Sequence, residues 1–166
     1  MGLFDMFSGD SGAEMTPHLA FATSLIYMMS ADGHIENEEV GQLLSVLGGD
    51  NQGGTIGVGA NNRKLLERAL KYAQSHAPDQ FFSEAVPLLS DAQKMCVLTN
   101  ILDSSLSDGS AAPQEQELFA KFLQAFGISE ERFKPFFEVI ALKNDRSVFT
   151  NPDHPRNSEE VQLQTK

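Results

Sequence analysis

The feature that most limits what this chain can fold into is a device used twice. SADGHIENEE, residues 30–39, and SDGSAAPQEQE, residues 107–117, each set an Asp-Gly pair between apolar stretches of helical period. With Asp32 aligned on Asp108, Glu39 falls on Glu115, Leu43 on Phe119, and Leu25 and Ile26 on Ile101 and Leu102. Each half then reads apolar helix, Asp-Gly, a short polar stretch, Glu, apolar helix. Asp-Gly flanked by alternating residues would announce a β-hairpin. Here the flanks repeat at three and four residues, so Gly33 and Gly109 are expected to end helices, where a left-handed backbone suits a residue without Cβ. The expected fold is all-α: a bundle of about seven helices built from two similar halves with pseudo-two-fold symmetry.

The helices can be placed in order. Thr16-Pro17 is an N-cap and first-turn signal for a helix with Leu19, Ala22, Leu25, Ile26 and Met29 on one face. Val40, Leu43, Leu44 and Leu47 form the next stripe, ended by Gly48-Gly49 and a glycine-rich connector, residues 48–62. A third helix from about Asn61 carries Leu65, Leu66 and Ala69, and Pro78 starts a short one with Phe81, Phe82 and Val86. Ser90 or Asp91 caps a long helix containing Met95, Leu98, Ile101 and Leu102, in which Cys96 reads as a small buried hydrophobe. Leu118, Phe119, Phe122, Leu123 and Phe126 make a dense stripe closed by Gly127. Ser129 opens the last helical piece, which Pro135 is expected to split, with Phe136, Phe137 and Ile140 facing inward. The expected organisation is a flexible N-terminus over 1–15, a helical domain over 16–142 with halves about 16–87 and 90–142, and a polar tail over 143–166.

Charge and composition exclude several roles. The chain has 12 Lys and Arg against 23 Asp and Glu, a net charge of −11. Nucleic-acid binding needs clustered cations to replace phosphate counterions, so no nucleic-acid partner is expected; a cation or a basic protein surface suits this charge. Cys96 is the single cysteine, which leaves neither an intramolecular disulfide nor a cysteine zinc site. No apolar run approaches the ~20 residues a membrane span needs, and MGLFDMFSG lacks the basic start of a signal peptide. A cytoplasmic location is expected, with the apolar Leu3, Phe4, Met6 and Phe7 as a candidate contact to a membrane surface or partner. GGTIGVGANNRK lacks the order of a phosphate loop, the histidines have no i, i+4 pairing, and no G-x-S-x-G occurs. No catalytic set can be assembled, so the chain reads as a non-enzyme without an evident small-molecule substrate.

The acids admit two roles. Pro113 suits the first helical position, which makes Glu115 the third, and by alignment Glu39 is the third as well; a carboxylate there satisfies free amides at a helix start. Asp32 and Asp108 can bond backbone groups of their own turns. The other role is cation binding. A hard divalent ion such as calcium takes several oxygens at once, and Asp32, Glu36, Glu38 and Glu39 in the first turn, with Asp108 and Glu115 as a weaker second set, are the candidate ligands. The twelve-residue EF-hand spacing is absent. His34 lies in the same turn, where its protonation would compete with a bound cation.

SADGHIENEE after an apolar helix, its echo DSSLSDGSAAPQEQELFAKFLQAFG, and the spacing between them resemble the TerB family, the tellurite-resistance B proteins and their relatives. The likeness spans roughly residues 16–142. It implies an all-helical fold of two similar halves, and acidic residues proposed to bind metal ions, carried here by Asp32, Glu39, Asp108 and Glu115. It also implies cytoplasmic or membrane-peripheral association with a stress-response system, including resistance to toxic oxyanions. Two functions are therefore expected to compete: a non-catalytic, cation-associated stress-resistance module, and a protein–protein interaction scaffold whose acids only cap helices.

Overall fold

Thr16 Oγ1 accepts the Leu19 N–H at 3.1 Å and Pro17 occupies the first turn, so the first helix, α1 (Pro17–Met29), starts where its cap predicts. The computed structural model describes residues 14–33, 43 and 62–163. Among these the remaining helices are α2 (Asn62–Ser75), α3 (Pro78–Ala85), α4 (Asp91–Leu106), α5 (Pro113–Phe126), α6 (Glu130–Asn144) and the single turn α7 (Ser147–Thr150), with short 3₁₀ turns at Val86–Leu88 and Pro155–Asn157. The described residues contain no strand, and the fold is all-α as expected. The expectations for the N-terminal cluster Leu3–Phe7, for the stripe around Leu44 and Leu47, and for the glycine-rich connector before Asn62 lie outside the described residues.

The axis of the bundle is α1. The one-sided stripe read from its sequence extends all the way round: every residue from Leu19 to Met29 is buried. A helix with no charged residue beyond its first turn has no face to give to water, and α2, α3, α4 and α5 all pack against it. Its small polar residues are absorbed locally; Ser24 Oγ donates to the Ala20 carbonyl at 2.7 Å. Thr23 Oγ1 is fully buried and has no hydrogen-bond partner among the described residues. An unsatisfied buried hydroxyl costs about 1–3 kcal/mol, so Thr23→Val is expected to raise stability by about 1 kcal/mol. A urea midpoint that falls instead would show that the hydroxyl has a partner.

The two halves share a packing order. In the first, α1 lies on α2; in the second, α4 lies on α6; and α1 and α4 lie on each other. Equivalent positions on α1 and α4 tether α2 and α6. Tyr27 Oη donates to the His76 carbonyl just past α2 at 2.8 Å. Asp103, aligned with Tyr27, accepts from Lys143 Nζ at 2.6 Å and Asn144 Nδ2 at 2.8 Å at the end of α6. A bidentate pair between Arg132 and Asp91 (2.8 and 2.6 Å) clamps the start of α6 to the start of α4. Phe81, fully buried, joins the halves: its ring meets Tyr27, Tyr72, Phe82 and Phe122 at centroid distances of 5.3, 6.1, 5.6 and 6.2 Å.

Three expectations are corrected. Pro135 does not split the last helix; it sits inside a continuous α6. A proline removes one helical hydrogen bond and crowds the carbonyl four residues back, but Arg132 and buried Phe133 anchor the helix before it, and Lys143 and Asn144 after it. Phe136 and Phe137 do not face the core; they are 45% and 44% exposed, and Phe133 takes the inner position. Cys96 is exposed. It lies with Thr99, Asn100 and Asp103 on the outer side of α4, while Met95, Leu98, Ile101 and Leu102 face inward.

Candidate functional site

The Asp-Gly turns repeat bond for bond. After α1, Ala31 N–H donates to the Met28 carbonyl at 3.3 Å and Gly33 N–H to the Ser30 carbonyl at 2.9 Å; after α4, Ser107 N–H donates to Ser104 at 3.3 Å and Gly109 N–H to Leu106 at 2.9 Å. Gly33 and Gly109 have φ of 91° and 97°, a left-handed backbone that a side chain would strain. Asp32 and Asp108 are both exposed at the head of these turns. Glu115 has a defined structural task. Its Oε2 accepts the Ala112 N–H at 2.6 Å, and Pro113 stands at the first position of α5, as the spacing predicts. Ala112 has no side-chain oxygen to return the bond, so this is half of a capping box.

Glu36, Glu38 and Glu39, and His34 beside them, lie outside the described residues. Among the described residues no group of three or more His, Cys, Asp or Glu is gathered to hold a metal ion.

A second polar centre, absent from the residues singled out by motif, lies beside the second turn. Asp108 and Gly109 share a depression of about 690 Å³ with Asn144, Asp145, Arg146, Ser147 and Arg156. Asp145 is its hub: it accepts from Ser147 N–H at 3.2 Å and from Ser147 Oγ, and faces His154 Nε2 at 3.1 Å and Arg156 Nη1 at 3.4 Å. The Ser147 hydroxyl hydrogen bond, with the Ser147 backbone N–H and the Arg156 charge beside it, holds the Asp145 carboxyl below the usual carboxylate range. His154 Nδ1 accepts the Arg156 N–H at 3.1 Å, which assigns the ring proton to Nε2, toward Asp145. A serine, a histidine and an aspartate thus meet, but not as a nucleophile and its base. The Ser147 hydroxyl is bonded to the carboxylate rather than to the imidazole, so the His154 ring is not placed to take its proton. In the sequence the only trace of this centre is LKNDRSVF, residues 142–149, where charged and apolar residues mix without period.

No helix among the described residues is long and apolar enough to cross a membrane. No curated protein and no solved structure matches the chain. The family model described as "Tellurite resistance protein TerB" matches residues 18–136, from the first turn of α1 to the middle of α6, and so takes in both Asp-Gly turns and the Glu115 cap. With most of its length in that match, the chain belongs to the TerB family of tellurite-resistance proteins.

Proposed function

We propose that this TerB chain is a non-catalytic module of the tellurite and stress response, working at the cytoplasmic side of the membrane through another protein, and that its first Asp-Gly turn binds a calcium-like divalent cation. Family membership carries the tellurite-resistance part of this reading. The observation that supports the rest is the division of labour in the repeat. The first turn carries Glu36 and Glu38, acids that the second half lacks, beside the Asp32 and Glu39 whose counterparts are Asp108 and Glu115, and Glu115 serves its own helix as a cap. Asp32, Glu36, Glu38 and Glu39 would then be the principal oxygen donors, with Asp108 and Glu115 the weaker set.

The Glu115 bond also favours the second reading, an interaction scaffold whose acids serve only as caps. Calorimetric titration separates the two. Calcium at up to millimolar concentration is expected to give heat and a raised thermal midpoint with the native chain, and neither with Asp32→Asn combined with Glu36→Gln. Glu115→Ala is expected to cost about 1 kcal/mol with or without calcium, the usual worth of a helix cap. A native chain that shows no heat with calcium, magnesium, manganese or zinc leaves the scaffold reading standing alone.

A further inference from the structure

Between α4, α5 and α6 runs an open groove of about 840 Å³. Leu102, Leu123 and Phe133 form its floor, and Phe119 and Phe137 its walls. Among the α5 residues that line it, Glu115, Phe119 and Leu123 recur every fourth position, so the groove follows that helix for about two turns, or roughly 11 Å. Phe137 remains 44% exposed in the wall, and Phe136, 45% exposed, continues the apolar surface beyond it. The mouth is acidic: among the described residues that line it, Glu115, Glu130 and Glu131 stand against one cation, Lys134.

We infer that this groove docks a basic amphipathic helix of a partner protein, a surface separate from the Asp-Gly turn proposed to bind a cation. An apolar floor two turns long matches side chains at i, i+3 or i+4, and i+7 of a helix laid along it. The acidic mouth selects lysines or arginines on the flanks of that helix. Charge decides between this occupant and the nearer ones. A second copy brings −11 against −11. Residues 1–13 supply Leu3, Phe4, Met6 and Phe7, but their only charged side chains are Asp5 and Asp10, which the same mouth repels.

The test is fluorescence anisotropy with a labelled Leu/Lys amphipathic helical peptide at about 0.15 M ionic strength, where exposed charges beyond about 8 Å are screened. The same peptide with its order shuffled, and a Leu/Glu version, serve as controls. The amphipathic Leu/Lys peptide is expected to bind at least tenfold more tightly than either. Phe137→Asp is expected to weaken it tenfold or more, and so is Ala120→Lys, an exposed position on the α5 side of the groove. Phe149→Asp, 93% exposed and outside the groove, is expected to leave binding unchanged. Equal binding of the shuffled peptide, or undiminished binding by folded Phe137→Asp and Ala120→Lys chains, overturns the inference. So does a dimer that Phe137→Asp dissociates, which makes a second copy the occupant, or a tenfold gain in affinity on deleting residues 1–13, which makes the chain's own N-terminus the occupant. Calcium heat on the native chain is read separately, so loss of the cation reading leaves this result intact.

Discussion

Replacing Phe81 with alanine is expected to lower the free energy of unfolding by about 3–5 kcal/mol, the largest effect of any single substitution proposed for this chain. The ring is fully buried and touches aromatic side chains of α1, α2, α3 and α5, so no one neighbour can move to fill the space without leaving another. Offset and tilted aromatic pairs add about 0.5–1.5 kcal/mol beyond their buried area. A loss of this size is a large share of the 5–15 kcal/mol typical of a folded domain. Urea denaturation followed by far-ultraviolet circular dichroism measures it, with Phe149→Ala as the exposed control, expected to change stability by no more than about 0.5 kcal/mol. A Phe81→Ala loss below about 1 kcal/mol would mean that this ring does not join the two halves.

Alkaline pH is expected to unfold the protein earlier than lysine titration alone would. Burial, with the charges of Tyr72 and Glu84, raises the Tyr27 hydroxyl far above its ordinary value; burial and Glu84 push Tyr72 up to about 12. Both phenols are neutral in the native chain, and the unfolded chain ionises first, near pH 10. The folded state therefore holds more protons above that pH. Its stability is intact below about pH 10 and falls as pH rises toward the folded values, by about 1.4 kcal/mol per pH unit for each tyrosine. Tyr27→Phe removes one of these terms together with the bond to the His76 carbonyl, so it is expected to cost stability at neutral pH and to flatten the alkaline limb. Tyr72→Phe removes the other together with the contact to Glu84, and is likewise expected to flatten the limb. Urea midpoints across the alkaline range, read beside the ultraviolet absorbance of tyrosinate, test both. Tyrosinate that forms near pH 10 in the still-folded chain would show that neither phenol is held neutral.

The sequence by itself determined where α1, α3, α4 and α5 begin and where α1, α4 and α5 end. Thr16 and Ser90 as caps, Pro78 and Pro113 in first turns, Glu115 reaching back to Ala112, and Gly127 in a left-handed conformation all act through bonds that close within a few residues. Such bonds are set by local residue order, and the repeat of the Asp-Gly turn was legible for the same reason. Only the tertiary structure decided the rest. That α1 is wrapped on every side, that α6 runs through Pro135, and that Cys96, Phe136 and Phe137 meet water depend on which helices lie alongside. Arg132 with Asp91, Lys143 and Asn144 with Asp103, and the apolar groove join residues far apart in the chain. A helical period places a side chain on a face, but whether that face is covered, clamped or left open is set by the packing of helices distant in sequence, which no local pattern encodes.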